Sequence, residues 1–204
     1  MAARRTADRD RIEAGVKVRE SGMPDEEMWD QFFDPASILG RLGLTPETSG
    51  AVDLGCGYGT FTIPAARIIE GTVHGFDIEP EMIRATGSKA QGAGLTNVEL
   101  HLRDFVADGT GLSDGSVDYV MLFNILHVEE PERLLREAYR ILAPGGAAAV
   151  MHWVSDRPTP RGPSLEIRPS PADCRRWITA AGFGIEGGVA DLPPYHFGLI
   201  GRKV

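Results

Sequence analysis

Three glycines on alternate positions, Gly55, Gly57 and Gly59, stand in the stretch VDLGCGYGT, between a short apolar run and a run of helical character. A glycine-rich turn at such a junction lets the backbone approach a ligand closely and offers that ligand the amino end of the following helix. The dinucleotide fingerprint is G-x-G-x-x-G, and its third glycine would fall where this chain has Thr60. Asp53 adds a carboxylate, which is awkward beside phosphates and useful beside a cation. The loop therefore predicts a ligand with a positively charged, amino-acid-like end.

The loop lies in a chain whose apolar pattern alternates between strand and helix lengths. Repeated strand-then-helix units imply a parallel sheet with helices on both faces, in which ligands bind at the carboxyl ends of the strands. The last two predicted strands are close enough to pair as an antiparallel hairpin. The predicted strands are 50–54, 72–78, 97–104, 117–124, 145–153, 183–190 and 195–204, and the predicted helices are 61–70, 79–94, 129–142 and 170–182.

Composition and charge limit the kinds of partner and compartment. The net charge of -8 and a pI near 5.1 count against a nucleic-acid partner, because such binding relies on Lys and Arg to neutralise phosphates. Two cysteines provide neither a disulfide framework nor a zinc cluster, which suits a reducing compartment. No apolar run approaches the length of a membrane-spanning helix. We therefore expect a cytoplasmic monomer or homodimer with no metal site, no membrane association and no nucleic-acid partner.

The amino-terminal part differs in pattern from the rest of the chain. Residues 1–22 interleave basic and acidic side chains without an apolar stripe, which predicts a charged and flexible segment. Residues 23–204 then form one domain. Its first part, 23–43, reads as two short helices, one beginning near Pro24 and one restarting at Asp34-Pro35.

These motifs together resemble the class I S-adenosylmethionine-dependent methyltransferases. VDLGCGYGT is similar to the first motif of that family, DGSVDYVMLFNILHV to its fourth-strand motif, and REAYRILAPGG to the turn that leads into its fifth strand. The terminal hairpin matches the reversed last strand that separates this fold from dehydrogenases. The resemblance covers residues 49–203. It implies an α/β fold, a Rossmann-like three-layer α/β/α sandwich whose mostly parallel seven-stranded sheet has an antiparallel C-terminal strand.

The resemblance also implies a cofactor, S-adenosylmethionine, and the residues that would bind it. Asp77 lies 22 residues after Gly55 (77 − 55), where family members accept hydrogen bonds from both ribose hydroxyls. Asp104 matches the acidic position near the adenine amino group. Residues 23–43 correspond to a lid over the cofactor, with Trp29 and Phe33 as its apolar cover; the alternative is that the amphipathic segment 24–33 packs in the core beneath the sheet edge. The full set of expected cofactor-binding residues is Trp29, Asp53, Gly55, Cys56, Gly57, Asp77, Ile78, Met82, Asp104, Phe105 and Asn124.

Fewer residues are candidates for catalysis or for binding the methyl acceptor. His127 follows the fourth strand, close to where the family places the methyl group, and would act either as a general base or as a packing residue. As a base it would give a rate that falls near the ordinary imidazole pKa of about 6.5. His152 and Trp153, at the end of strand five, would wall an acceptor pocket or only pack. Arg157, in the irregular segment 154–169, would clamp an anionic acceptor or remain solvated.

Several functions remain open at this point. The leading one is methyl transfer to a small-molecule acceptor by in-line displacement, in which most catalysis is alignment and desolvation of two reactants. The alternatives are an inactive S-adenosylmethionine-binding subunit, an NAD(P)-dependent oxidoreductase, and a methyltransferase that acts on nucleic acid or protein. Thr60 disfavours the oxidoreductase, and the acidic pI disfavours the nucleic-acid enzyme.

Overall fold

The computed structural model describes Glu26, Trp29 and residues 31–204. The segment predicted at 1–22, and most of the helix predicted to begin near Pro24, lie outside the described residues. Glu26 and Trp29 are both in helical conformation. Across the described part of the chain, none of the helices combines the length and the apolar character that crossing a bilayer requires.

Strands and helices alternate from residue 50 to residue 180, and two consecutive strands follow. The sequence did not predict the short helix Phe105–Asp108. The strands are β1 Gly50–Leu54, β2 Thr72–Asp77, β3 Val98–Leu102, β4 Val117–Phe123, β5 Leu142–Trp153, β6 Gly184–Leu192 and β7 His196–Arg202. The helices are α1 Pro35–Arg41, α2 Thr62–Ile68, α3 Pro80–Gly92, α4 Phe105–Asp108, α5 Pro131–Ile141 and α6 Pro171–Ala180, with a 3-10 turn at Leu165–Ile167.

The strands form one seven-stranded sheet in the order β3-β2-β1-β4-β5-β7-β6. Strands β1 to β5 pair in parallel, and β7 runs antiparallel to both β5 and β6. The predicted Rossmann-like α/β/α sandwich with a reversed C-terminal strand is thus confirmed. The strand order reverses between β1 and β4, which opens a crevice at the carboxyl ends of these strands.

The core lies on both faces of the sheet because neighbouring residues of each central strand point in opposite directions. Val52 and Val120 face one hydrophobic cluster, which also contains the apolar sides of α5 and α6. Ala51 and Met121 face the other cluster, which contains the apolar sides of α1 and α2. Strands buried on both faces read as continuous apolar runs, as β4 does.

Strand β5 begins earlier than the sequence predicts, at Leu142 rather than at residue 145. Val117 pairs with Leu142, and Tyr119 pairs with Ala147, so β5 advances five residues while β4 advances two. Gly145 lies inside this irregularity with a φ of +78°, a value that favours glycine. The Pro-Gly-Gly turn therefore forms a bulge within the strand rather than the boundary before it.

The partly buried carboxylate of Glu137 links α5 to the connection that follows β3. Glu137 Oε1 accepts hydrogen bonds from the Thr110 backbone N–H (2.7 Å) and hydroxyl (2.6 Å), and Arg140 Nε donates to Glu137 Oε2 (2.9 Å). The Arg140 hydrogen bond, followed by those from Thr110, lowers the pKa of Glu137 to about 2 despite its partial burial. The hydrogen bonds between Glu137 and Thr110 fix the path of the chain after α4. This helix begins beside the crevice.

We expect Glu137→Gln to lower the free energy of unfolding at pH 7 by about 1 to 2 kcal/mol, since charged hydrogen bonds are replaced by neutral ones. The folded-state pKa is depressed, so the stabilisation is present above pH 4.5 and is lost as the pH falls toward 2. Urea unfolding of both proteins at pH 7 and pH 3 measures this. Glu132→Gln, which removes an exposed pair with Arg136, is the control with little effect. A pH-independent difference for Glu137→Gln would contradict the assignment.

Candidate functional site

The glycine loop at residues 55–59 folds back onto the carboxyl end of β2. The backbone N–H groups of Gly55 and Cys56 both donate to Phe76 O, each at 2.9 Å. Gly59 has a φ of +79°, and a Cβ on it would lie 2.9 Å from Thr86 Cγ2 on α3. Because neither the dihedral angle nor the space admits a side chain, the tight packing of the loop on α3 requires glycine at this position.

Asp77 and the loop are joined directly. Asp77 Oδ2 accepts a hydrogen bond from Gly57 N–H (2.9 Å), and its Oδ1 accepts one from Glu79 N–H (2.9 Å). The Thr86 hydroxyl donates to Gly57 O (2.8 Å), so the loop is held from both sides. Asp77 is buried, and the loss of solvation raises its pKa while these N–H groups lower it. The glycine loop and Asp77, which the 22-residue spacing predicts to act together, are therefore adjacent in the structure.

Asp53 places a second buried carboxylate behind the loop. Its Oδ2 accepts a 2.6 Å hydrogen bond from the Thr62 hydroxyl at the start of α2. Burial raises the pKa of Asp53 to about 6, with Thr62 opposing and Asp77 adding to the shift. Burial and the same two carboxylates raise the pKa of the Cys56 thiol, which therefore stays protonated. The region behind the loop is negative and favours a cationic group.

The other residues expected at the cofactor lie at the ends of β2 and β3. Ile78 is partly exposed, and Met82 is buried in the first turn of α3. Asp104 caps α4 by accepting from Ala107 N–H (2.9 Å). The two strand ends are joined by a hydrogen bond from Arg103 N–H to Asp77 O (2.8 Å).

Phe105, also expected at the cofactor, is buried beneath this edge. Its ring meets that of Phe76 edge to face, at a centroid distance of 6.4 Å. Phe76 in turn carries the carbonyl oxygen to which the glycine loop is anchored. The ring of Phe105 therefore supports the end of β2 from the side of the sheet on which α5 and α6 pack.

Asn124 ends β4 in a left-handed conformation with a φ of +56°, which is uncommon for a residue other than glycine. Its N–H donates to Met151 O (2.8 Å), and its Nδ2 lies 3.4 Å from His196 Nε2. Its Oδ1 is buried and has no hydrogen-bond partner among the described residues. A strained residue with an unsatisfied oxygen at a strand end is typical of a ligand-binding position.

Two histidines face one another beyond Asn124. The rings of His127 and His152 have centroids 5.6 Å apart and meet at 79°. Both ring nitrogens of His152, and Nδ1 of His127, are buried without a partner in the described part of the chain. Burial lowers the pKa of His152 to about 3 and also lowers that of His127, against a hydrogen bond to the backbone of Asn124. Both rings are therefore neutral at pH 7. The His152 ring can donate one hydrogen bond and accept another, and His127 Nδ1 can make one.

Trp153 lies at the centre of an aromatic cluster that covers this end of the sheet. Its ring centroid is 6.3 Å from that of Trp29, 5.6 Å from Phe32 and 6.4 Å from Phe33. We call these three residues the aromatic cap. His196 packs against the Trp153 ring at a centroid distance of 4.1 Å and against the Phe33 ring at 4.8 Å. The cap therefore joins the amino-terminal residues to the carboxyl end of β5.

The amino-terminal residues also reach the glycine loop. Glu26 forms an ion pair with Lys89 on α3, and Lys89 Nζ donates to Tyr58 O (2.7 Å). Glu26 and Trp29, one helical turn apart, thus contact opposite sides of the crevice. Sequence reasoning did not single out Lys89 or Thr86, because their contacts with the loop span 31 and 29 residues.

The arginines of the segment 154–169 differ in their environment. Arg157 is exposed and pairs with Asp156. Arg168 is buried and donates to Pro163 O (2.8 Å) and Val154 O (3.0 Å) while lying 5.8 Å from the Trp153 ring centroid. Arg168 therefore holds the segment against the aromatic cluster, whereas Arg157 faces solvent.

Comparison with known proteins gives consistent results. A family model described as a methyltransferase domain matches residues 51–146. An uncharacterized 37.1 kDa protein in transposon TN4556 of Streptomyces fradiae is 35% identical over 162 residues, 74% of this chain and 46% of that protein. Aklanonic acid methyltransferase DauC of Streptomyces sp. (strain C5) is 32% identical over 126 residues, 58% of this chain and 55% of that protein.

A crystal structure of a SAM-dependent methyltransferase from Aquifex aeolicus extends the likeness to the whole fold. It has a TM-score of 0.77 and 25% identity, and it covers 93% of this chain and 98% of that one. The chain spans about half the length of the curated relatives it matches. The matched domain contains the loop, Asp77, Asp104 and Asn124, and two buried carboxylates behind the loop suit a sulfonium cofactor. Residues 51–146 thus match a methyltransferase domain, and the fold is that of a SAM-dependent methyltransferase.

Proposed function

We propose that this protein transfers a methyl group from S-adenosylmethionine to a small-molecule acceptor. The observation that carries the proposal is the glycine loop held by the buried Asp77 carboxylate and backed by buried Asp53. When bound, the cofactor supplies an electrophilic methyl group on a cationic sulfur. The protein's part is to bind it, orient the acceptor in line and exclude water.

The electrostatics of the loop favour this cofactor over a dinucleotide. Asp53 and Asp77 give the loop region negative charge, which suits a sulfonium and an ammonium and repels a pyrophosphate. The Lys89 ammonium does not neutralise this negative charge, because it donates to Tyr58 O and pairs with Glu26. In this proposal Asp77 accepts hydrogen bonds from the ribose. Ile78, Met82, Asp104 and Phe105 surround the adenine.

Residues 23–43 form a lid in this proposal, as part of a single domain at 23–204. Glu26 reaches toward the loop through Lys89, and Trp29 packs on Trp153 at the end of β5. These two contacts support a lid that would lie over both the proposed cofactor end and the proposed acceptor end of the crevice. Closing it would remove water from the reacting atoms, where water weakens electrostatic interactions and competes with the acceptor.

The acceptor pocket is proposed to lie between His127, His152, Trp153 and Asn124. Asn124 Oδ1, His127 Nδ1 and both ring nitrogens of His152 lack protein partners among the described residues, so an acceptor hydroxyl, amine or carbonyl could satisfy them. The aromatic wall suits a compact organic molecule. One relative is named for methyl transfer to aklanonic acid, which supports a small organic acceptor. Arg157 would contact an anionic part of the acceptor only by exchanging its pairing with Asp156.

His127 is proposed as the general base for an acceptor that must lose a proton. Its imidazole is neutral at pH 7 because burial lowers its pKa, so it can accept a proton without first losing one. The same burial makes it a weaker base than a free histidine. Its acid limb therefore lies below the ordinary pKa of about 6.5 that the sequence alone would give.

The proposal includes the compartment and partners expected from the sequence. We propose a cytoplasmic monomer or homodimer that does not bind nucleic acid. The net charge of -8 supports the absence of a phosphate-backbone partner. Cys56 and Cys174 are free and buried, which is consistent with a reducing compartment.

The function is tested by ligand-dependent melting and a transfer screen. S-adenosylmethionine and its demethylated product should raise the melting temperature, whereas NAD and NADP should leave it unchanged. A screen with a methyl-labelled cofactor across phenols, amines, thiols and carboxylic acids should then identify an acceptor class. Stabilisation by the cofactor without transfer to any class would favour a binding subunit. Stabilisation by NAD or NADP alone would overturn the proposal.

We expect Asp77→Ala to weaken S-adenosylmethionine binding by about 1.5 to 3 kcal/mol, the range for hydrogen bonds to a charged group. Calorimetry measures the affinity. Circular dichroism and melting are needed beside it, because Asp77 also accepts the Gly57 and Glu79 N–H groups. Asp191→Asn, an exposed change on β6, is the control. Unchanged affinity in a folded Asp77→Ala protein would remove this carboxylate from the site.

We expect His127→Gln to lower kcat by about 10²- to 10⁴-fold on an acceptor that needs deprotonation, with little change in cofactor affinity. Because a base works only when unprotonated, the wild-type rate should fall as the pH drops through a pKa below 6.5, and this limb should vanish in the variant. Glu129→Gln, an exposed neighbour, is the control. Full kcat in His127→Gln would indicate alignment without a base.

A further inference from the structure

Three side chains capable of binding a metal ion lie together on β2 and β3, away from the crevice histidines. His74 pairs in register with Glu99, and Phe76 pairs with His101. Side chains alternate along a strand, so His74, Glu99 and His101 lie on the same face of the sheet. Phe76 belongs to the hydrophobic cluster of α5 and α6, which identifies that face. The cluster is separate from the proposed cofactor and acceptor pockets.

The distances between the ligand atoms match those around a small divalent ion. His74 Nδ1 lies 3.3 Å from His101 Nε2 and 3.3 Å from Glu99 Oε2. One ligand atom from each of the three residues lies within 4.8 Å of the others. Nitrogen and oxygen ligands about 2.0 to 2.1 Å from a tetrahedral zinc ion are about 3.3 Å apart. Two of the three separations therefore already have the value that coordination requires.

A single hydrogen bond from His74 cannot account for both of its short contacts. A ring nitrogen carries either one hydrogen or one lone pair in the ring plane. His74 Nδ1 therefore cannot make a well-aligned hydrogen bond to Glu99 and another to His101 at the same time. An ion bound at the centre of the three atoms would satisfy all of them at once.

The surroundings hold two of the ligands in place and leave one side open. The His101 ring stacks on Phe76, with centroids 4.4 Å apart and planes at 14°. The His74 side chain is 17% exposed, whereas that of Glu99 is 61% exposed and free to adjust. Arg103, two residues after His101, directs its guanidinium to the carbonyl oxygens of Gly109 and Asp108. A water molecule can then complete a four-coordinate shell from the solvent side.

We propose that His74, Glu99 and His101 form a binding site for a late first-row divalent metal ion, with Zn²⁺ as its representative. Two imidazoles and one carboxylate are a ligand set that such ions favour. The ion joins β3 to β2 through side chains as well as through the backbone ladder. It stabilises the folded state because the three ligands are together only when the two strands pair. This site does not depend on the proposed enzymatic function.

The test uses full-length, tag-free protein treated with EDTA and then dialysed. Calorimetric titration with Zn²⁺ should show one equivalent bound, and Zn²⁺ should raise the melting temperature. Co²⁺ should give the intense visible absorption of a four-coordinate site. His101→Phe, which keeps the stack on Phe76, and Glu99→Gln should each weaken Zn²⁺ binding by more than about tenfold. Glu70→Gln, which removes an exposed carboxylate elsewhere, should bind as the wild type does.

The variants are needed to locate the bound ion, because His127 and His152 in the crevice could also bind Zn²⁺. Zn²⁺ binding with wild-type affinity in both His101→Phe and Glu99→Gln would place the ion elsewhere and overturn the proposal. The absence of saturable Zn²⁺ binding to the wild type would overturn it as well. Melting of each variant without metal shows whether it is folded. Glu99 is exposed, so Glu99→Gln keeps the test valid even where His101→Phe fails to fold.

Discussion

The hydrogen bond between Gly57 N–H and the Asp77 carboxylate is the constraint on which the rest of the site depends. It joins the loop after β1 to the end of β2, and together with the Glu79 N–H it opposes the rise in the Asp77 pKa that burial causes. The loop can make this bond only because its glycines adopt left-handed dihedral angles. The positions of α2 and α3 follow from it, since Gly59 packs against Thr86 and Asp53 accepts from Thr62.

Much of the fold, and the closeness of the glycine loop to Asp77, could be predicted from the sequence because the sequence patterns that indicate them are local. Each of β1 and β4 is a short, largely apolar run, and the glycine spacing identifies the turn. The distance from Gly55 to Asp77 reflects one strand-helix-strand unit, so the acid had to fall near the loop. The start of β5 was predicted too late, because Pro144-Gly145-Gly146 reads as a turn when the pairing of Leu142 with Val117 is unknown.

What could not be predicted depends on register between distant strands. His74 and Glu99 meet only because β2 and β3 pair with one particular offset, which no local pattern reveals. The fall in the pKa of His152 likewise requires knowing what buries it. Among the arginines of 154–169, the sequence could not distinguish the buried Arg168 from the exposed Arg157.

The position of β7 between β5 and β6 has a consequence for how the molecule assembles. Two pairings in the sheet join strands that are far apart in the chain: β1 with β4, as Ala51 with Tyr119, and β5 with β7, as Trp153 with His196. Such non-local pairings form late because loop closure must precede them. His152 pairs there with Phe197. The proposed acceptor wall therefore depends on the docking of the β6-β7 hairpin against β5, and local opening of the hairpin would dismantle it while leaving the glycine loop intact.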